Sequence, residues 1–92
     1  MAQFVMVMMG SASSGDWDSY IDRLIQSGSF RGGSSLGRGA RISKDGSDGD
    51  CSVTGYMRLE VADLDEARKL VAGNPLYEAG GYIELLEEIP DE

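Results

Sequence analysis

Histidine is absent from this 92-residue chain, and with it go the commonest general base and the commonest metal ligand, which removes many enzyme mechanisms at once. Cysteine is nearly as scarce. Cys51 stands alone, so no internal disulfide can form, and a reducing cytoplasm is the natural compartment. Long hydrophobic stretches are also missing. The apolar run FVMVMM at 4–9 is far too short to span a bilayer, and no basic residue precedes it as a secretory signal requires, so the expectation is a soluble, cytoplasmic protein. Positive charge is thin: eight Lys plus Arg stand against sixteen Asp plus Glu, a net charge of −8. Most of the surface would repel phosphate backbones and anionic membranes, so neither nucleic acid nor a membrane is an expected partner.

What is present fits one globular domain. The chain is 41% hydrophobic and 26% charged with only two prolines, a composition outside the range of disordered segments. A chain of this size buries roughly 60 to 70% of its unfolded surface, so its core is modest and a partner chain would help it. Residues 1–92 therefore read as a single domain, with a Gly/Ser/Asp-rich loop at 37–52 expected to be mobile and an acidic tail at 90–92. Glu84, Glu87, Glu88, Asp91 and Glu92 crowd the C-terminus without fixed ligand spacing, as a solvated edge does.

Residues 4–9 suit a central strand buried on both faces. Asp16 sits where an N-cap belongs, and Trp17, Tyr20, Ile21, Leu24 and Ile25 follow as an apolar stripe of helical period, stopped by Gly28. Residues 30–36 form a second strand weakened by Gly32 and Gly33, where a bulge or the close approach of another backbone or ligand is expected. Residues 37–52 predict a loop or short hairpin around Lys44-Asp45-Gly46. From 53 to 61, Val53, Gly55, Met57, Leu59 and Val61 point to the core while Thr54, Tyr56, Arg58 and Glu60 point away. Asp63 caps a further helix with Glu66 as its capping-box partner and Leu64, Ala67, Leu70 and Val71 as its buried stripe; Gly73 and Pro75 end it. Residues 82–89 make the last strand.

The order βαββαβ predicts an α+β, ferredoxin-like sandwich: an antiparallel four-stranded sheet with both helices on one face. The other face would show Tyr56, Arg31 and Met or Val side chains of the first strand, a surface too apolar to face water comfortably. Two sheets packed face to face would cover it and enclose a partly polar cavity, which predicts a homodimer. A monomer with a solvated sheet is the alternative.

Val53-Thr-Gly55, the capped helix Asp63-Leu-Asp-Glu-Ala67, the turn Asn74-Pro75 and the closing Ala79-Gly-Gly81 resemble the YCII-related family of dimeric α/β-barrel proteins. Residues 20–24, Ser27-Gly28 and Arg31-Gly-Gly33 are similar to that family's first helix and glycine-bearing second strand, so the resemblance covers nearly the whole chain. It implies a small homodimer with a cleft between the sheet and the first helix. Some members have been proposed to use a histidine near the start of that helix and an aspartate after the second strand. Those positions fall at or beside Trp17 and near Gly39 here, so neither residue carries over.

Arg31, Tyr56 and Arg58 are expected on the sheet face away from the helices, where a guanidinium fork beside a phenol can cradle a carboxylate or enolate. The competing account pairs Arg58 with Glu60 or Glu84 across the dimer barrel. Trp17 is either the first core residue of its helix or a stacking wall for a ligand, and Tyr20 reads as core more readily than as a catalytic group. Asp45, Asp48 and Asp50 lack the spacing of a calcium loop, and Gly37-Arg-Gly-Ala-Arg41 has no helix behind it to bind phosphate. Cys51 has no neighbour in sequence to activate it. No metal site and no cofactor are expected. Three functions remain open: a homodimer binding a small organic acid, with Trp17, Tyr20, Arg31, Tyr56, Arg58 and Glu60 as candidate contacts; a muconolactone-isomerase-like enzyme using Asp16 or Glu60 as base; or a purely structural or protein-interaction dimer.

Overall fold

The computed structural model describes residues 1–10, 15–46, 48–49 and 52–90; Asp50, Cys51, Asp91 and Glu92, and the side chain of Asp48, lie outside that description. Four strands form the main sheet: β1 (Ala2–Met9), β2 (Phe30–Ser35), β5 (Val53–Val61) and β6 (Tyr82–Glu87). Two short strands, β3 (Arg41–Ile42) and β4 (Asp48–Gly49), make the separate ribbon expected around Gly46. The helices are α1 (Trp17–Gln26), α2 (Leu64–Lys69) and α3 (Pro75–Glu78). The sheet order is β2-β5-β1-β6 and every pairing is antiparallel. The chain is thus α+β, with an antiparallel four-stranded sheet and a few helices, compatible with a ferredoxin-like fold.

Alternation decides which face is core. Phe4, Met6 and Met8 of β1 and Gly55, Met57, Leu59 and Val61 of β5 are buried, and the apolar ones cluster with Tyr20 and Leu24 of α1, Ala67 of α2 and Leu76 of α3. Val5 and Val7, on the other face of β1, are half-buried, flanked by Arg58 and Tyr56 of β5 and by Leu86 and Glu84 of β6. Tyr82 is 76% and Leu86 55% exposed on that uncovered face.

Both N-caps expected from the sequence are present. Asp16 accepts from the Ser19 N–H at 3.0 Å and Asp63 from the Glu66 N–H at 3.0 Å. Gly28 takes φ 78°, the left-handed conformation that ends α1. The reciprocal half of the capping box is replaced: the Glu66 carboxylate accepts from Lys69 Nζ at 3.0 Å.

Four local expectations give way to packing. Ile25 is 56% exposed, because α1 lies on the sheet along its Tyr20–Leu24 line and the next residue is turned about 100° away from it. Leu64 is 41% exposed, since in a helix of six residues only Ala67 reaches the core fully. Pro75 does not merely end a helix. It opens α3 at a position where its missing N–H is harmless, and the buried Asn74 caps it, accepting from the N–H groups of Leu76 at 2.9 Å and Tyr77 at 3.1 Å. The last strand stops at Glu87, short of the expected 89, although the Glu88 N–H still donates to the Gln3 carbonyl at 2.8 Å.

The expected bulge is real. Register shifts between Phe30 and Gly33 of β2, and a second shift falls between Met8 and Met9 of β1. A Cβ on Gly33 would run into the Tyr56 carbonyl oxygen, so backbones approach there as the glycine suggested.

Loss of the Asn74 cap should destabilise the domain measurably. In urea melts, Asn74→Ala should cost about 1–2 kcal/mol, against about 2–5 kcal/mol for Leu59→Ala in the centre of the core. An Asn74→Ala curve that superimposes on that of the unsubstituted chain would remove the cap from the account.

Candidate functional site

A cavity of about 830 Å³ lies between one flank of α1 and the β2 side of the sheet, within the range of small-molecule sites. It exists because small residues face large ones across a gap. Strand β2 contributes Gly33, Ser34 and Ser35, and Gly10 follows β1, none of which fills space. Helix α1 rests on Tyr20 and Leu24, so its next two rows, Trp17 with Ile21 and Asp18 with Asp22, overhang the opening. Met8, Phe30, Met57 and Leu76 supply the apolar floor, and Thr54, whose hydroxyl donates to the Met8 carbonyl at 3.4 Å, borders it. Tyr56 also borders the cavity. As alternation on β5 turns its ring to the other face, the contact is through its main chain beside Gly33.

Of the residues singled out in the sequence, Trp17 stands in the cavity wall, half-buried, with its ring edge-to-face against Tyr20 at 6.3 Å between centroids. The indole both packs on the core and borders the cavity. Tyr20 is 3% exposed and lies beneath, its phenol donating to the Leu70 carbonyl at 2.6 Å and approaching Met6 Sδ at 3.7 Å. Burial pushes the Tyr20 pKa up, while the Asn74 amide and the Arg23 charge pull it back in part. Arg23 lies over the Tyr20 ring at 5.5 Å and donates to the Ala72 carbonyl, tying α1 to the segment after α2.

Arg31, Tyr56, Arg58 and Glu60 share the face away from the helices, as alternation requires. None of their charged groups borders the cavity. Arg31 Nε faces Glu60 at 3.4 Å, and its Nη1 donates to the carbonyls of Gly28 and Phe30 at 2.9 and 3.0 Å. Within the chain, Arg58 Nε meets Glu88 at 3.8 Å, an ion pair too long to be a hydrogen bond. The arginines therefore form two surface pairs on an open sheet. Each such pair contributes about 0–1 kcal/mol.

Asp16 is occupied as the cap. The Ser19 hydroxyl, donating at 2.7 Å, and then the Ser19 N–H hold its carboxyl below the ordinary value, which makes it a weaker base. Among the described residues no group of three or more Cys, Asp or Glu is gathered to hold a metal, and no helix is long and apolar enough to cross a membrane. The sequence reading missed Asp18, Asp22, Ser34 and Ser35. Their signal was a pair of acids at i and i+4 beside the Trp17–Ile21 row, facing a strand of glycine and serine.

The buried phenol yields a pH prediction. Because folding raises the Tyr20 pKa above its usual 10.0, stability from the neutral form is fully present below that value and is lost as pH rises through the higher folded value. Urea midpoints should fall as the solution is taken above about pH 10, and Tyr20→Phe should flatten that part of the curve. An identical decline in both proteins would assign the loss to another group. Compared with known proteins, the chain matches no family model and no curated protein sequence.

Proposed function

We propose that this chain is a small-molecule-binding domain that works as a homodimer, with the ligand in the α1–sheet cavity and a second copy on the uncovered sheet face. The observation that carries the reading is the cavity: about 830 Å³, apolar in its floor, walled by Trp17 and kept open by glycine and serine on β2. A site of this build binds by burying an apolar body and orienting it with a few polar groups.

The dimer half rests on the opposite face. Val5 and Val7 line its middle and Leu86 stands 55% exposed beside them, an apolar patch that association would cover. Sheet-to-sheet pairing is the arrangement of the dimeric α/β barrels, and the resemblance to the YCII-related family supports it here. The expected organic acid belongs to that seam, where Arg31, Tyr56 and Arg58 would lie between the sheets. Their guanidinium groups already face Glu60 and Glu88, so the cavity is the better ligand site. Neither base of the isomerase-like alternative reaches it, since Asp16 caps α1 and Glu60 sits on the other face. A single cysteine and a strongly acidic surface suit the cytoplasm.

Each half has its own test. Sedimentation at micromolar concentration should give twice the 9.9 kDa chain mass, and Val7→Arg should give the monomer; a monomeric unsubstituted chain would remove the dimer. For the cavity, adding the neutral probe 2-naphthol should shift the amide signals of Gly33, Ser34, Ser35 and Thr54 and the Trp17 indole N–H. Shifts centred on other residues would remove the ligand site.

A further inference from the structure

Resting on the reading of the cavity as a ligand site, we infer that its ligand is an organic cation: a protonated amine or quaternary ammonium group on an apolar, flat or branched body. The charges at the cavity are all of one sign. Asp18 and Asp22 stand one helical turn apart on the overhanging flank of α1, and among the described residues no Lys or Arg borders the cavity. The basic groups of the surrounding elements are directed elsewhere. Arg23, next to Asp22 on α1, lies over Tyr20 and donates to Ala72; Arg31 faces Glu60, and Arg58 faces Glu88 on the far side of the sheet.

The opposing wall is electrically neutral. Ser35, which shares the cavity face of β2 with Gly33, brings a hydroxyl that can accept from an ammonium N–H, and Met8 and Phe30 of the floor with the overhanging Ile21 take the hydrocarbon. The Trp17 indole, half-buried in the wall, offers the aromatic surface on which cations bind best. An anion of the same shape would meet two carboxylates and no counter-charge, in a protein of net charge −8.

Asp18 and Asp22 are exposed, so water weakens their pull. Each contributes about a fivefold gain in affinity at close range in low salt, and the gain fades as the screening length falls from about 10 Å at 0.1 M to about 3 Å at 1 M.

Three probes of matched shape test this on the full chain: 4-phenylbutylammonium, 4-phenylbutanol and 4-phenylbutyrate, titrated at low salt. The readouts are emission of Trp17, the single tryptophan, and the amide signals of Ser34 and Ser35. The ammonium should bind about tenfold or more tightly than the alcohol, from two contributions of about fivefold, and the carboxylate should bind weakest. In the double variant Asp18→Asn with Asp22→Asn the ratio of ammonium to alcohol affinity should fall to about one, and 1 M NaCl should do the same to the unsubstituted protein, with no substitution to disturb folding. Equal affinities for all three, a carboxylate that binds tightest, or an ammonium preference indifferent to 1 M salt would overturn the cation assignment while leaving the cavity a ligand site. No response at Trp17 or Ser34 to any probe would overturn both.

Discussion

Everything above the sheet is held in place by one buried polar junction. The Tyr20 phenol donates to the Leu70 carbonyl, and beside it the Asn74 amide nitrogen points at the sulfurs of Met6 and Met8, at 3.8 and 3.6 Å, while its oxygen caps α3. Thioethers are weak acceptors, so the amide meets soft, polarizable partners in a largely hydrocarbon layer. Buried polar groups of this kind stabilise only when they are satisfied together. The junction ties the helix of the first half of the chain to the turn between α2 and α3 of the second. With Tyr20 anchored there, the next row of α1, Trp17 with Ile21, borders the cavity beside β2.

The sequence was most legible where a pattern is local and repeated. Alternation over residues 53–61, the Asp16 and Asp63 caps and the glycine stop at 28 depend on neighbours a few residues away, and each is found as read. Ile25 and Leu64 failed because helical period gives the width of an apolar stripe but not the line on which the helix rests; the sheet chooses that line. Pro75 was read as a stop because the same ring that ends one helix is compatible with the first turn of the next.

The site was half legible for a related reason. Arg31, Tyr56, Arg58 and Glu60 were assigned to the right face, but the sequence did not show that Arg31 and Arg58 stand in ion pairs whose partners depend on strand register and on Glu88, just beyond the end of β6. Asp18 and Asp22 were passed over, since nothing in a linear chain shows what lies opposite a helix. A cavity is defined by side chains that are missing, and FRGGSS announces a weak strand more loudly than it announces a space.

Gly33 sets a bound on how this protein can change. Any side chain there would strike the Tyr56 carbonyl and press on Met57, so the position resists substitution for reasons of strand pairing alone. Ser35 is the next position of β2 on the cavity face and already carries a side chain, opposite Gly55, which has none. Divergence toward new ligands, in natural variants or in engineered ones, is thereby channelled into Ser35 and the acid pair on α1. Few positions in so small a domain can be altered with so little cost to its framework.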